Sequence, residues 1–329
     1  MIAGEAARVL EENGVRYECM LVDGEYDCDG EKVRHIDDVL GSSHEKADVI
    51  VAFNYFDRSK LDRFSDVINN IYYFETGLGN STTDGEYMTF DWITAHADKL
   101  QTLYDQLSDE LSRKTLLAFL NQRISRLSGF VAEVKSPNNQ YFEPDIIEFG
   151  EDEVFVDCGA YTGDTASIFI NELKKRGVDA PAKIVCFEPD EDNFRKLVER
   201  KIPNSVCLKK GASDKTKTVR FSQKGTSASM VADDGDTVIE TDTIDNVLNG
   251  GKATLIKMDI EGAELSALKG AAETIKRYKP ALAICIYHKK SDLYEIPEYI
   301  NSLAAEYRFY VRIYSHNSHE LVLYAIPPK

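Results

Sequence analysis

The 329 residues carry 39 basic and 56 acidic side chains, a formal charge of −17, with 43% hydrophobic and 29% charged content. That length suffices for two domains with cores of their own, and the composition is that of an ordinary globular protein. A charge this negative argues against unassisted binding to nucleic acid or to an anionic membrane, because both reward a basic face.

Residues 1–90 alternate helical and strand-like patterns. AARVLEENGV reads as a helix ended at Gly14, and YECMLVDG, KVRHIDDVLGS, ADVIVAFNY and IYYFET follow, which predicts a small α/β domain. Its opening, Ile2-Ala3-Gly4-Glu5-Ala6-Ala7, resembles the tail of a glycine turn whose preceding strand is missing. A structural or partner-facing role is therefore expected of this domain rather than a second active site.

Residues 91–135 read as a helical connector. Leu100, Leu103, Leu107, Leu111, Leu116, Leu117, Leu120, Ile124 and Leu127 recur at helical spacing, with a break expected near Ser108. Asp109 and Glu110 precede Arg113 and Lys114 by four residues, an arrangement that supports a solvated helix through ion pairs.

Residues 136–329 form the main domain after the turn cluster Ser136-Pro137-Asn138-Asn139. Its predicted order is strand 154–157, helix 164–176, strand 183–188, helix 190–200, strand 205–210, a strand-rich excursion over 216–248, strand 253–259, helix 262–278 and strand 281–287. A helix over 295–306 and strands 307–314 and 320–326 close the chain. Strands alternating with helices imply a mostly parallel sheet wound on both faces. The last two strands, joined around His316-Asn317-Ser318, must pair as a hairpin and make one edge antiparallel.

The six cysteines (Cys19, Cys28, Cys158, Cys186, Cys207, Cys285) show no C-x-x-C pair and no metal-ligand spacing, so buried free thiols are expected. No signal-peptide pattern opens the chain and no apolar run approaches spanning length, which predicts a cytoplasmic protein without membrane insertion.

The chemistry is expected where strands end, because ligands of such sheets gather outside the carboxyl ends. Val154-Phe155-Val156 run into Asp157, the turn Gly159-Ala160-Tyr161-Thr162-Gly163, and Asp164-Thr165 at a helix start. Asp157 would repel a pyrophosphate, and Tyr161 stands where a dinucleotide fingerprint needs its second glycine. S-adenosylmethionine, which carries an ammonium and a sulfonium and no phosphate, suits the acid better. Glu188, before Pro189, is placed to accept hydrogen bonds from ribose hydroxyls. Gly211-Ala212-Ser213-Asp214 lets backbone approach an adenine edge, and Asp259 faces the methyl-donor side. His288, leaving an apolar strand with an ordinary pKa near ~6.5, is taken as the base for a hydroxyl proton. Glu261 and Glu264 read as helix-start acids, and with no H-x-E pair or histidine-rich set beside them no metal is expected. Tyr287, Lys289, Arg312 and Tyr314 are the residues offered for stacking on and hydrogen bonding an acceptor.

From Gln140 to Pro327 the chain resembles the FkbM family of S-adenosylmethionine-dependent methyltransferases. QYFEPDII, EVFVDCGAYTGDT, FEPDEDNF, IKMDIEGAE, IYHKKSDLYEIPEYI and YVRIYSHNSHELVLYAIP keep the family's order and spacing. The resemblance implies an α/β, Rossmann-like class I methyltransferase sheet, mostly parallel with an antiparallel carboxyl-terminal hairpin strand. It also implies methyl transfer to a hydroxyl of a sugar, glycan or secondary metabolite, with Asp157, Gly159, Tyr161, Gly163, Glu188 and Asp259 lining the donor pocket. The family fixes no single base, so His288 rests on its own residues. A small-molecule or glycan acceptor is the partner expected, nucleic acid is not, and a homo-oligomer is left open. Two rivals are carried: a NAD-dependent sugar oxidoreductase, and a non-catalytic nucleotide-binding module of a glycan-synthesis complex.

Overall fold

A computed structural model describes residues 2–22, 33–43, 45–52, 59–73, 88–127, 129–222, 230–231, 237–316 and 319–328. The elements of the large sheet and the helices covering it are numbered among themselves below. Strands β1 (Val154–Cys158), β2 (Lys183–Phe187), β3 (Ser205–Leu208), β4 (Leu255–Met258), β5 (Ala281–Cys285), β6 (Arg308–Ile313) and β7 (Leu321–Ile326) form one sheet of order β6-β7-β5-β4-β1-β2-β3. All pairings from β5 through β3 are parallel, whereas β7 is antiparallel to both β5 and β6. The fold is thus the mixed α/β, mostly parallel sheet the sequence implies. One detail differs: the last strand inserts between β5 and β6, so the antiparallel strand lies one place in from the edge. Two residues of the hairpin link, Asn317 and Ser318, lie outside the described residues.

Every residue of β1 and β4 is buried, which is why their sequences are apolar apart from Asp157 and Lys257, which pair with each other. The period-two geometry still sorts their side chains between two cores. Val156, Val185, Ile256, Leu282 and Ile284 face one core with Leu103, Phe119 and Ile300. Phe155, Ile184, Leu255, Ala283 and Cys285 face the other with Phe169, Leu173 and Leu197. Helices α1 (Ala97–Gln106), α2 (Glu110–Ser125), α5 (Glu264–Lys269), α6 (Ala272–Tyr278) and α7 (Asp292–Leu303) supply buried residues to the first core, and α3 (Asp164–Lys175) and α4 (Glu191–Glu199) to the second. The break between α1 and α2 falls at Leu107–Asp109, around Ser108.

The helical stripe is only partly as the sequence suggests. Leu100, Leu103, Leu107, Leu116 and Leu120 are buried, but Leu111, Leu117 and Ile124 are exposed while Ser112, Thr115, Gln122 and Arg123 are buried in their stead. The reason is that α2 lies against β6 and the strand exits, where main-chain groups need partners. Val311 N–H donates to Ser112 Oγ at 2.9 Å, Gln122 Nε2 to His316 O at 2.7 Å, and Arg123 Nη2 to Tyr287 O at 3.1 Å. Asp109 does not pair across the helix with Arg113. It accepts from Ser112 N–H as the α2 N-cap and binds Arg312 Nη2 at 2.7 Å, fixing α2 to β6.

Two boundaries differ as well. The helix expected over 262–278 is split into α5 and α6 at Gly270, where a Cβ would sit 2.0 Å from Ser213 O. The helix expected from 295 begins at Asp292. Gly211–Ala212 pairs with the strands of the excursion, Lys217–Ser222, Met230–Val231 and Thr237–Asp242, in a second small sheet, and a short helix, Ile244–Leu248, ends the excursion.

Before Met88 the described residues hold the helix Ile2–Glu12 and two pairs of parallel strands, Met20–Val22 with Val33–His35 and Ala47–Val51 with Ile68–Tyr73. Ile36, Leu40, Val51, Leu61 and Phe64 form their own core. The ends of the strand-like stretches ADVIVAFNY and IYYFET, from Phe53 and from Phe74 onward, lie outside the described residues. Among the described residues no helix is long and apolar enough to cross a membrane. Cys158, Cys186 and Cys285 are buried free thiols, and Cys19 and Cys207 are half-buried and free.

Candidate active site

Leaving β1, the chain turns at Gly159 with φ +80°, where a Cβ would lie 2.0 Å from the carbonyl oxygen of Asp259. Glycine is what lets the exits of β1 and β4 touch. The amides of Gly159 and Ala160 both donate to Phe187 O at 3.0 Å, tying the turn to β2. Tyr161 follows in left-handed backbone, φ +49°, and its N–H donates to Glu188 Oε2 at 2.8 Å. Gly163 is the N-cap residue of α3, so Asp164 and Thr165 are its first helical residues.

Glu188 is buried, and its other oxygen accepts from Asp190 N–H at 2.9 Å. Burial pushes its carboxyl up to about 7, against the pull of the Asp190 and Tyr161 amides. Pro189 is half-buried beside it. Asp190 caps α4 by accepting from Asp192 and Asn193 N–H. Next to these residues, Pro189, Asp190, Glu191, Lys209 and residues 237–240 line a cleft of about 370 Å³.

Asp157 is fully buried 3.0 Å from the ammonium of Lys257. Sequence reasoning has this acid attract a cationic ligand; in the structure its immediate counter-charge is internal. Lys257 Nζ also donates to Gly159 O at 2.7 Å and Cys158 O at 3.3 Å, so one cation holds the acid and the turn together. Burial lifts Asp157 to about 6 although Lys257 opposes it, and Asp157 with Asp259 keeps Lys257 above its ordinary value although burial opposes that.

Asp259, at the β4 exit, keeps 27% of its side chain exposed. Tyr141 Oη donates to its Oδ2 at 2.7 Å and Tyr287 Oη to its Oδ1 at 3.4 Å. Burial raises its pKa, yet Lys257 and His288 outweigh burial and hold it below the usual range, so the group is ionised at neutral pH. Tyr141 is itself set in place by main chain: its N–H donates to Tyr324 Oη at 3.1 Å, and Tyr324 bonds Tyr314, whose Oη donates to Glu143 at 2.8 Å.

His288, just beyond β5, is buried among carboxylates. Its Nδ1 lies 2.9 Å from Glu264 Oε1, and its Nε2 lies 3.5 Å from Asp259 Oδ1 and 3.6 Å from Glu261 Oε2. Burial disfavours the charged ring, but Glu264, Glu261 and Asp259 together push its pKa up to about 10. An imidazolium has no lone pair to receive a proton, so a ring held in that form is ill suited to the base role the sequence suggests for His288. Glu261 and Glu264 are more than helix-start acids, because the fold delivers the histidine from a different strand. The expectation of no metal drew on spacing along the chain; in space, ligand atoms of Asp259, Glu264 and His288 lie within 4.8 Å of one another.

The sequence-derived donor residues are therefore linked by direct bonds around the β1, β2 and β4 exits, while Gly211 and Ala212 pair with Thr241 and Asp242 in the small sheet. Of the four acceptor candidates, Tyr287 and Lys289 stay at the site, Lys289 donating to Gly262 O. Arg312 and Tyr314 are buried in the Asp109 and Glu143 networks instead.

Residues 157–310 match the methyltransferase FkbM domain. That match takes in a little under half of the chain, and over it the chain is similar to that domain. A crystal structure of the methyltransferase FkbM from Methylobacillus flagellatus KT superimposes on it with a TM-score of 0.72 at 26% identity, covering 94% of this chain and 84% of that one. With 94% covered, the likeness takes in most of the residues before the FkbM match. The hexuronic acid methyltransferase AglP of Haloferax volcanii is 28% identical over 193 residues, 52% of this chain and 77% of AglP.

Sequence reasoning misses three groups that organise these strand exits. Tyr141 lies 118 residues from Asp259, and its only trace is the aromatic-acid run QYFEPDII. Lys257 is visible as a charge inside an apolar strand, a pattern that calls for a buried counter-ion. Glu264 carries no sequence signal that separates it from an ordinary helix-start acid.

Proposed function

We propose that this chain transfers the methyl group of S-adenosylmethionine to a hydroxyl oxygen of a sugar-class acceptor. The observation that carries the reading is the linked set at three adjacent strand exits: the Gly159 turn against Asp259, the Tyr161 amide on Glu188, and Asp259 reaching solvent. The residues fit the donor. A buried carboxylate, Glu188, stands ready for ribose hydroxyls, the neighbouring cleft offers room for the adenine, and acid faces the side where a cationic sulfur would lie. S-adenosylmethionine supplies a methyl group made electrophilic by that sulfonium.

Each residue then has a distinct task. Glu188 holds the ribose by charge-assisted hydrogen bonds, worth about 1.5–3 kcal/mol each. Lys257 and Asp157 keep the turn rigid from beneath, so the reactants meet in line; such orientation contributes about 7–11 kcal/mol to reactions of this type. Asp259, ionised and partly exposed, receives the hydroxyl proton, with Tyr141 steadying its other oxygen. His288 positions Asp259 and Glu264 and is not the base.

The acceptor class is supported by the family and by AglP, which is named for hexuronic acid. Tyr161, in the place of a dinucleotide-type glycine, gives the NAD reading no support, and no specific feature favours a silent module. Incubation with isotope-labelled S-adenosylmethionine and a panel of free and nucleotide-linked sugars, read by mass spectrometry, is expected to give a labelled methyl ether. Label recovered only as a methyl ester would move the transfer to a carboxylate, and no label in any acceptor would count against catalysis.

A further inference from the structure

We propose that the carboxylates of Asp259 and Glu261 together with the His288 ring, which Glu264 orients from behind, form a binding site for one divalent cation, with Nε2 of His288 as its nitrogen ligand. The spacing is that of atoms that could share one ion. His288 Nε2 lies 3.5 Å from Asp259 Oδ1 and 3.6 Å from Glu261 Oε2. Two atoms each ~2.1 Å from a common ion stand roughly 3.0–3.5 Å apart at angles between octahedral and tetrahedral. Behind the ring, Nδ1 is 2.9 Å from Glu264 Oε1, the carboxylate-to-histidine arrangement that orients a metal-bound imidazole from its far side.

An independent observation points to a missing positive charge. The Glu264 side chain has no solvent exposure, and its Oε2 has no hydrogen-bond partner. A buried carboxylate oxygen left so is costly, and the cost falls when a cation lies nearby. Charge balance runs the same way: a protonated ring offsets one of the three surrounding carboxylates, whereas a divalent ion on the neutral ring offsets two. Neighbouring ammonium groups are engaged elsewhere, Lys289 on Gly262 O and Lys290 over the Trp92 ring. Asp292, also buried, adds a further acid and accepts from Lys289 N–H.

Access comes from the Asp259 and Glu261 side, whose side chains are 27% and 23% exposed. One nitrogen among oxygens suits magnesium or manganese over softer ions. The positions left open on that side would take the hydroxyl oxygens of an acceptor, a use that rests on the methyl-transfer reading; the binding of the ion does not.

The probe is Mn²⁺ added to chelator-treated full-length protein without donor or acceptor, followed by electron paramagnetic resonance of the free ion. One ion per chain is expected, with affinity lowered about tenfold or more in Glu261→Gln and about 10–100-fold in Glu264→Gln. Glu261 is partly exposed, so its variant is expected to keep the wild-type urea midpoint. No binding at millimolar Mn²⁺, or equal binding by Glu261→Gln and wild type, would overturn the site. Failure of S-adenosylhomocysteine to bind, with Mn²⁺ binding intact, would strike the methyl-transfer reading alone.

Discussion

Asp259→Asn is expected to lower turnover about 10²–10⁴-fold, the span attributed to removing a positioned proton acceptor. The substitution keeps the shape of the side chain and an oxygen for Tyr141, which now donates 2.7 Å from Oδ2. The backbone carbonyl that meets Gly159 is untouched, so the turn stays closed and affinity for the donor product falls far less than turnover. The split between the two is the informative quantity. Equal losses in turnover and in donor affinity would make Asp259 a binding residue only. By contrast His288→Gln should leave the pH dependence of turnover without the loss of a limb near neutrality, because without an ion the ring is held protonated up to about pH 10 and with one its Nε2 lone pair is engaged. A neutral-range pKa that vanishes in that variant would restore His288 as the base.

Lys257→Met is expected to destabilise the fold by about 3–5 kcal/mol in urea unfolding, the range for stripping one partner from a buried ion pair. Lys257 and Asp157 are 2% and 0% exposed at 3.0 Å, so neither charge can turn to water when the other is lost. The ammonium also closes the carbonyls of Gly159 and Cys158, which would be left short of a donor. Adding Asp157→Asn should recover part of the loss, since the pair is then neutral on both sides. A Lys257→Met protein as stable as wild type, or a double variant no better than the single one, would show that the pair does not hold the turn.

Much of this is legible in the sequence alone. Buried parallel strands leave apolar runs such as Val154–Val156, and glycines with positive φ leave fixed spacings such as Gly159 to Gly163, because both are local demands of the backbone. Acids at strand exits stood out for the same reason, since Asp157, Glu188 and Asp259 interrupt sequences that otherwise exclude charge. What stayed hidden depends on which exits become neighbours. Asp157 and Lys257 are a hundred residues apart, and only the β1–β4 register sets them opposite each other. The three carboxylates around His288 reverse its expected protonation, and that enclosure exists only after β5 is laid beside β4. Helix α2 misled for a different reason: its buried face serves main-chain groups of β6 and the strand exits, so polar residues are buried there and leucines exposed.

The most direct measurement is calorimetric titration of the full chain with S-adenosylhomocysteine at pH 8 and at pH 6, for the wild type and for Glu188→Gln. Glu188 is pushed up to about 7 by burial, so it is mainly ionised at pH 8 and mainly protonated at pH 6. Ribose hydroxyls bond better to the carboxylate, so wild-type affinity is expected to weaken as the pH falls. Glu188→Gln should bind roughly 10–100-fold more weakly at pH 8, with the difference between the two pH values gone. Binding of NADH in place of S-adenosylhomocysteine, or equal affinity in the two proteins, would contradict a donor site at these strand exits.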